Sequence, residues 1–236
     1  MNSSNKRSEG KSTAAGRAKA RFLDIRRFPM DLGRLVCTPC LILFRIKKIG
    51  VQTAAPSNLP TGGVMIVSNH SGFSDPFVIG SAFWYRRVHF LAAETLMKNR
   101  LAAVLLRGMG CIKIDRNSFD IEAIKKSVEV LKEGRVLTVF PQGALHRDGD
   151  LSGIKSGAVL IAGRAGVPIV PIYTKERLHW YERRVVAVGE PLYPEDAGAL
   201  LNAAKADEIS KKLLLKMEEC EDAYNAYIEG RAPIDG

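Results

Sequence analysis

The chain has 236 residues, 46% hydrophobic and 25% charged, enough apolar content to bury a full core and too much to stay disordered along its length. Four cysteines in a chain this long make no disulfide framework, which sets aside the small secreted scaffolds and suits a cytoplasmic protein. The net charge of +10 asks for a polyanionic partner, and its distribution says where.

Residues 1–48 hold twelve Lys/Arg against Glu9, Asp24 and Asp31, a balance of +9, and the other 188 residues carry +1. A basic segment seeks phosphates, on nucleic acid or on anionic lipid, and the residues mixed with the charges choose between them. Here the mixture is aliphatic: Leu35 to Phe44 follows the Arg-rich run and ends at Arg45, Lys47 and Lys48. At about 1.5 Å per helical residue those ten positions reach roughly 15 Å, half of a bilayer core. The expectation is therefore a basic amphipathic helical segment over 17–49 lying in the interface of an anionic membrane, monotopic or peripheral on the cytoplasmic face. A helix packed on its own domain with a solvated basic flank is the alternative. A nucleic-acid arm lacks interleaved aromatics beyond Phe22, Phe28 and Phe44. A cleaved signal peptide is disfavoured because the apolar run ends in cations without a small-x-small site. Cys37-Thr38-Pro39-Cys40 has redox or zinc spacing, but no histidine lies close in sequence and no strand precedes it, so two small apolar residues on a helix explain it.

Residues 1–16, rich in Ser, Gly, Lys and Ala with no apolar period, read as a disordered tail. Arg17 to Ile46 reads as one or two helices broken near Pro29 and Pro39, and Gly50 to Gly63 as a connection with a short edge strand. From Val64 short apolar runs alternate with longer segments of helical period, the pattern of an α/β domain with a largely parallel or mixed central sheet flanked by helices. The predicted strands are Val64–Val67, Val88–Ala92, Ile112–Ile114, Val136–Phe140, Ile169–Tyr173 and Val185–Val188. Helices are predicted over Asp75–Tyr85, Thr95–Leu106, Ser118–Glu133 and Lys155–Ala165. The third has Asn117 or Ser118 as cap, Gly134 as stop, and Ile121, Ile124, Val128 and Leu131 as its buried stripe. From Pro194 a last helical segment carries Ile209, Leu213, Met217, Cys220, Tyr224 and Tyr227 on one face, with Glu218, Glu219, Glu221 and Asp222 as a solvated patch. The organisation is thus a tail at 1–16, an interfacial segment at 17–49, an α/β core at 50–193 and a docking helical segment at 194–236.

The most chemically loaded stretch is Ser68 to Asp75, S-N-H-S-G-F-S-D. His70 follows a strand, and Ser71 or Ser74 can cap a helix through Asp75, which puts the histidine at a strand's carboxyl end, where open α/β sheets place their sites. Positions five apart on one helix differ by about 140° modulo a turn, so the two side chains meet only if His70 lies in the turn before the helix. Asp75 would then fix the tautomer and leave the other ring nitrogen as a general base. No G-x-S-x-G elbow occurs, so the histidine would deprotonate a substrate hydroxyl directly. On its own the pair reads first as a loop histidine satisfied by a nearby carboxylate.

Three later stretches follow in order: Gly110-Cys111-Ile112-Lys113-Ile114-Asp115-Arg116, Phe140-Pro141-Gln142-Gly143, and Val167-Pro168-Ile169-Val170-Pro171. With the first, the series resembles the glycerolipid acyltransferases of the 1-acylglycerol-3-phosphate (lysophosphatidic acid) type, whose blocks run N-H-x4-D, G-x-x-x-I-D-R, F-P-E-G-T-R and V-P-I-x-P. The resemblance extends from about Val64 to Tyr173. It implies that His70 and Asp75 are catalytic, that Arg116 meets the acceptor's phosphate, and that Gly143 lets backbone N–H groups face a phosphate or oxyanion. The alternative for Arg116 is a structural pair with Asp115 or another carboxylate. It also implies an acyl thioester of CoA or an acyl-carrier protein as donor, a lysolipid acceptor, and no cofactor or metal.

The chain departs from the family's pattern where the acceptor head group is read. Gln142 stands for Glu, Ala144 for Thr, Leu145 for the phosphate-binding Arg, and Ala93 for a Lys often found after the second strand. Losing a charged partner from a buried phosphate costs on the order of 2–5 kcal/mol, so Arg147, His146, Lys98 and Lys155 are the neighbours that would compensate, Arg147 first. The expected substrate-binding set is Asn69, Arg116, Gln142, Gly143, Arg147 and Lys155. The expected activity is transfer of a fatty acyl chain to 1-acylglycerol 3-phosphate. The alternatives are a lyso-aminolipid or glycolipid acceptor, or a lipid-binding relative without turnover.

Overall fold

The computed structural model describes residues 45–50, 59–72, 74–115, 120–141, 157–175, 183–194 and 203–231. The tail and the interfacial helix expected before residue 45 lie outside them. Seven strands form one sheet: β1 (Lys47–Gly50), β2 (Val64–Ser68), β3 (Val88–Ala93), β4 (Cys111–Ile114), β5 (Val136–Val139), β6 (Ile169–Thr174) and β7 (Val185–Val188). Their spatial order is β1-β7-β6-β2-β5-β3-β4. The five from β6 to β4 run parallel, while β7 is antiparallel to β6 and parallel to β1. The sheet is therefore mixed.

Among the described residues the α-helices are α1 (Asp75–Ala82), α2 (Arg100–Gly108), α3 (Ile121–Lys132), α4 (Gly157–Ala165) and α5 (Ala203–Ile228). They cover both faces, which is why the central strands read as continuous apolar runs. Val64 and Ile66 of β2 pack with Val78, Ile79 and Phe83 on the α1 side, whereas Met65 and Val67 join Leu131, Val159 and Leu213 on the side of α3, α4 and α5. Period-two alternation thus splits one strand between two cores.

Several boundaries differ from the sequence reading, each for a local reason. β1, at the sheet's edge, occupies the end of the 17–49 segment expected to be helical, with Ile46 and Ile49 partly buried on opposite faces, while residues 51–58 of the connection expected to hold an edge strand lie outside the described residues. α1 stops at Ala82, where Phe83 leaves helical geometry with its ring wholly buried. The Thr95–Leu106 segment is a 3₁₀ turn over Glu94–Met97 followed by α2, and Asn99 starts α2 by accepting from the N–H groups of Leu101 (2.8 Å) and Ala102 (3.4 Å). Asp120 caps α3, accepting from Ala123 N–H at 2.9 Å and from Asp115 N–H at 3.1 Å. Those donors, Ala123 first, hold its carboxyl below the ordinary value. The later start turns Ile121 outward, so Ala123 and Ser127 are buried with Leu131, and Ile124 and Val128 are partly buried.

Candidate active site

β2 ends at Ser68 and α1 begins at Asp75, so His70 lies in the intervening turn, as the spacing argument required. The turn stands at the common carboxyl edge of the parallel strands. His70 Nδ1 is 3.1 Å from Asp75 Oδ2. A carboxylate only accepts, so Nδ1 carries the proton and donates, which fixes the tautomer. The same oxygen accepts the backbone N–H groups of Ser71 and Gly72, each at 2.8 Å. Ser74 sits at the N-cap without a side-chain capping bond. The turn is organised instead by Asp75 reaching back from the first helical position, where a negative charge also suits the helix dipole.

The other oxygen, Oδ1, accepts from an Nη of Arg184 at 3.2 Å, with both side chains almost wholly buried. Arg184 just precedes β7. Because β7 runs against β6, its start returns to the edge that carries His70. Nothing in the sequence reading singled out Arg184. The only signal was an arginine abutting the buried run Val185–Val188, and its relevance depends on strand direction, which pattern does not give.

The His70 ring stacks on Phe140, with centroids 4.4 Å apart and an interplanar angle of 24°, and Phe90 lies beyond Phe140 at 6.5 Å, nearly parallel. Phe140 follows β5, the neighbour of β2, so the phenylalanine of the third block touches the histidine of the first. Offset aromatic stacking of this kind is worth about 0.5–1.5 kcal/mol beyond burial, and it restrains the one ring angle that Asp75 leaves adjustable.

Asn69 is buried and spends both ends of its amide on one backbone unit. It donates to Thr174 O at 2.8 Å and accepts from Thr174 N–H at 3.0 Å. Ser71 Oγ donates to the same carbonyl at 3.2 Å. The structure thus gives Asn69 the work of clamping the end of β2 to the end of β6. Arg116, Gln142, Gly143, Arg147 and Lys155 lie outside the described residues. Ala93 is buried at the end of β3 and places no cation there, Lys98 is exposed after the 3₁₀ turn, and Lys113 pairs with Glu94 at 2.7 Å.

Burial pushes the thiols of Cys111 and Cys220 up to about 12, so neither is a nucleophile near neutral pH. Among the described residues no group of three or more His, Cys, Asp or Glu could hold a metal ion, and no helix is long and apolar enough to cross a membrane. An imidazole held in this way is able to serve as a general base.

Comparison with known proteins gives the family. The family model described as Acyltransferase matches residues 50–175. A 1-acyl-sn-glycerol-3-phosphate acyltransferase from Bacillus subtilis is 26% identical over 192 residues, covering 79% of this chain and 96% of that protein. A probable 1-acyl-sn-glycerol-3-phosphate acyltransferase from Mycoplasma pneumoniae is 30% identical over 133 residues, 54% of this chain and 50% of that protein. The crystal structure of the 1-acyl-sn-glycerophosphate (LPA) acyltransferase from Thermotoga maritima superposes with a TM-score of 0.59 at 17% identity, over 84% of this chain and 80% of the other; it is similar in fold.

Proposed function

This chain belongs to the Acyltransferase family and is an enzyme, and from that premise we propose that it moves a fatty acyl group from a thioester of CoA or an acyl-carrier protein to the free hydroxyl of a lysolipid. 1-Acylglycerol 3-phosphate is the proposed acceptor, in line with the names of the relatives. The observation that carries the mechanism is the 3.1 Å contact between His70 Nδ1 and Asp75 Oδ2 at the carboxyl edge of the sheet.

With Nδ1 protonated and held, His70 acts through Nε2, which takes the proton of the acceptor hydroxyl as its oxygen attacks the thioester carbonyl. The tetrahedral intermediate collapses, the C–S bond breaks, and the departing thiolate recovers the proton from the imidazolium. The new ester and the free thiol balance the reaction. Asp75 stays a carboxylate throughout and stabilises the imidazolium between the two transfers. Arg184 holds Asp75 from the side opposite His70. In this reading the basic segment at residues 1–48 keeps the enzyme on the anionic cytoplasmic face of a membrane.

One observation favours a second acceptor class. Ala93 is buried at the end of β3, and Leu145 replaces the arginine of the third block, so two cations that would meet a phosphate are not in their usual places. A lyso-aminolipid or glycolipid would need neither. The deciding experiment offers one acyl-CoA to the full chain with a panel of phosphate-headed and phosphate-free lysolipids. Turnover is expected to be highest on 1-acylglycerol 3-phosphate and to fall at least about a hundredfold in His70→Ala, a general base being worth about 10²–10⁴. A preference for phosphate-free acceptors would reassign the substrate. Equal transfer by the parent and His70→Ala would remove the mechanism, and lipid binding without turnover would remove the activity.

A further inference from the structure

Helix α2 is apolar on two sides. Ala103 and Leu106 pack with Ala92, Met97 and Cys111 against the sheet. On the outside Leu101 is 78% and Val104 67% exposed, and Leu96 in the turn before the helix is 49% exposed. Residues three apart are neighbours on a helix surface, so Leu101 and Val104 adjoin. One exposed aliphatic residue is ordinary, but three within nine positions form a patch that calls for a partner.

The charges around the patch say which partner. Thr95 to Gly110 contains Lys98, Arg100 and Arg107 and no Asp or Glu, and all three cations are exposed. By helical rotation Arg100 and Arg107 lie roughly 40° and 60° to one side of Val104, one turn before it and one turn after, while Leu101 lies roughly 60° to the other side. The segment leaves β3 at its carboxyl end and returns to the start of the parallel strand β4, so Leu96 and Leu101 lie at the edge that carries His70 and Phe140.

We propose that Leu96, Leu101 and Val104, flanked by Lys98, Arg100 and Arg107, dock on the surface of an anionic lipid bilayer and hold the His70 edge toward it. The proposal rests on the lipid-acylating reading for the choice of lipid as partner, while the patch rests on exposure and charge alone. Two other occupants meet like charge. Residues 1–48 carry +9, and a second copy related by a two-fold axis would set these cations against their own copies.

The test uses the full chain and sedimentation with vesicles of phosphatidylcholine, with or without phosphatidylglycerol. The parent is expected to bind the anionic vesicles and to leave them as salt rises. Lys98→Gln/Arg100→Gln/Arg107→Gln should weaken partitioning on the order of a hundredfold, since each cation near such a surface is worth a factor of about five. Leu101→Ser/Val104→Ser should weaken it at least about tenfold by withdrawing apolar area from the interface. His70→Ala should bind as the parent does while transferring no acyl group, so failure of docking and failure of chemistry are read separately.

Because residues 1–48 also attract anionic lipid, insertion is read at the site itself. Leu101→Trp on vesicles with brominated acyl chains should show quenched emission beyond that of Trp84 and Trp180 in the parent. Unquenched emission, or partitioning of both surface variants equal to the parent, would overturn the proposal. So would a lipid-free dimer of the parent that Leu101→Ser/Val104→Ser dissociates, which would assign the face to a second copy.

Discussion

Asp75 divides its two oxygens between separate tasks. Oδ2 serves the turn and His70, through Ser71 N–H, Gly72 N–H and Nδ1; Oδ1 serves Arg184. The carboxylate is wholly buried, so removing a partner leaves charge that water does not reach. Arg184→Met is expected to cost about 3–5 kcal/mol of stability, the range for breaking a buried pair from one side. As a positioning residue it should also lower kcat while leaving the acceptor KM in place, because a rotated Asp75 no longer orients the imidazole. Arg184→Lys should restore part of the kcat, one ammonium replacing a planar fork. Urea unfolding with steady-state kinetics on the three proteins checks this. A loss of stability with kcat unchanged would make Arg184 structural only. The sequence made His70 and Asp75 legible because their relation is local, five positions across a strand-to-helix turn. Arg184 and the Phe140 stack were not legible, since each depends on which strands adjoin and which way they run.

At the scale of elements, the strands fell within a residue or two of their apolar runs, while helix ends moved to wherever a side chain could satisfy the backbone. Asn99 and Asp120 were visible as capping types, but choosing them over their neighbours needed the carbonyl and N–H positions. The long helix shows the same split. Its stripe of Ile209, Leu213, Met217, Cys220 and Tyr224 is buried as the spacing implied, yet Glu221, expected to be solvated, accepts from the Tyr173 hydroxyl at 2.8 Å. The Tyr173 ring meets Tyr224 edge-on at 5.4 Å, so α5 is pinned to β6. A close approach lies beside β7. A Cβ on Gly189 would stand 2.6 Å from Cys220 Sγ and 2.8 Å from Pro171 Cγ. Gly189→Ala is therefore expected to lose about 1–3 kcal/mol, as overpacked sites do. Cys220→Ala introduced into that variant should recover part of the loss by clearing one of the two clashes. Urea midpoints for the four proteins of the cycle supply the coupling, and strict additivity would place the strain elsewhere.

For the whole molecule, the mixed sheet decides where function sits. Five parallel strands point their carboxyl ends at one edge, and the reversal into β7 brings a buried cation to that edge from outside the parallel set. Composition and alternation foretold an α/β domain with helices on both faces; the direction of β7 follows from a connection whose length sets no handedness. The layers also enclose two thiols, Cys111 partly buried between the sheet and α2 and Cys220 buried between the sheet and α5. Their pH dependence reports on the intact sandwich. Burial raises both from the ordinary 9.0 to about 12, so between those values the native state keeps two protons that the unfolded chain releases. A raised pKa contributes stability that is full below the unfolded value and is lost as pH rises toward the folded one. The fall should begin near pH 9 and steepen to at most about 2.7 kcal/mol per pH unit, two protons at about 1.36 kcal/mol each. Tyrosines and lysines titrate in the same range, so the readout is the difference in slope between the parent and Cys111→Ala/Cys220→Ala, measured by urea unfolding at pH 8, 9 and 10. Cavities left by the substitutions lower stability at every pH alike and cancel in that slope. A flatter profile for the double variant is expected; superimposable slopes would mean that water reaches both thiols and that the layers open well below the unfolding transition.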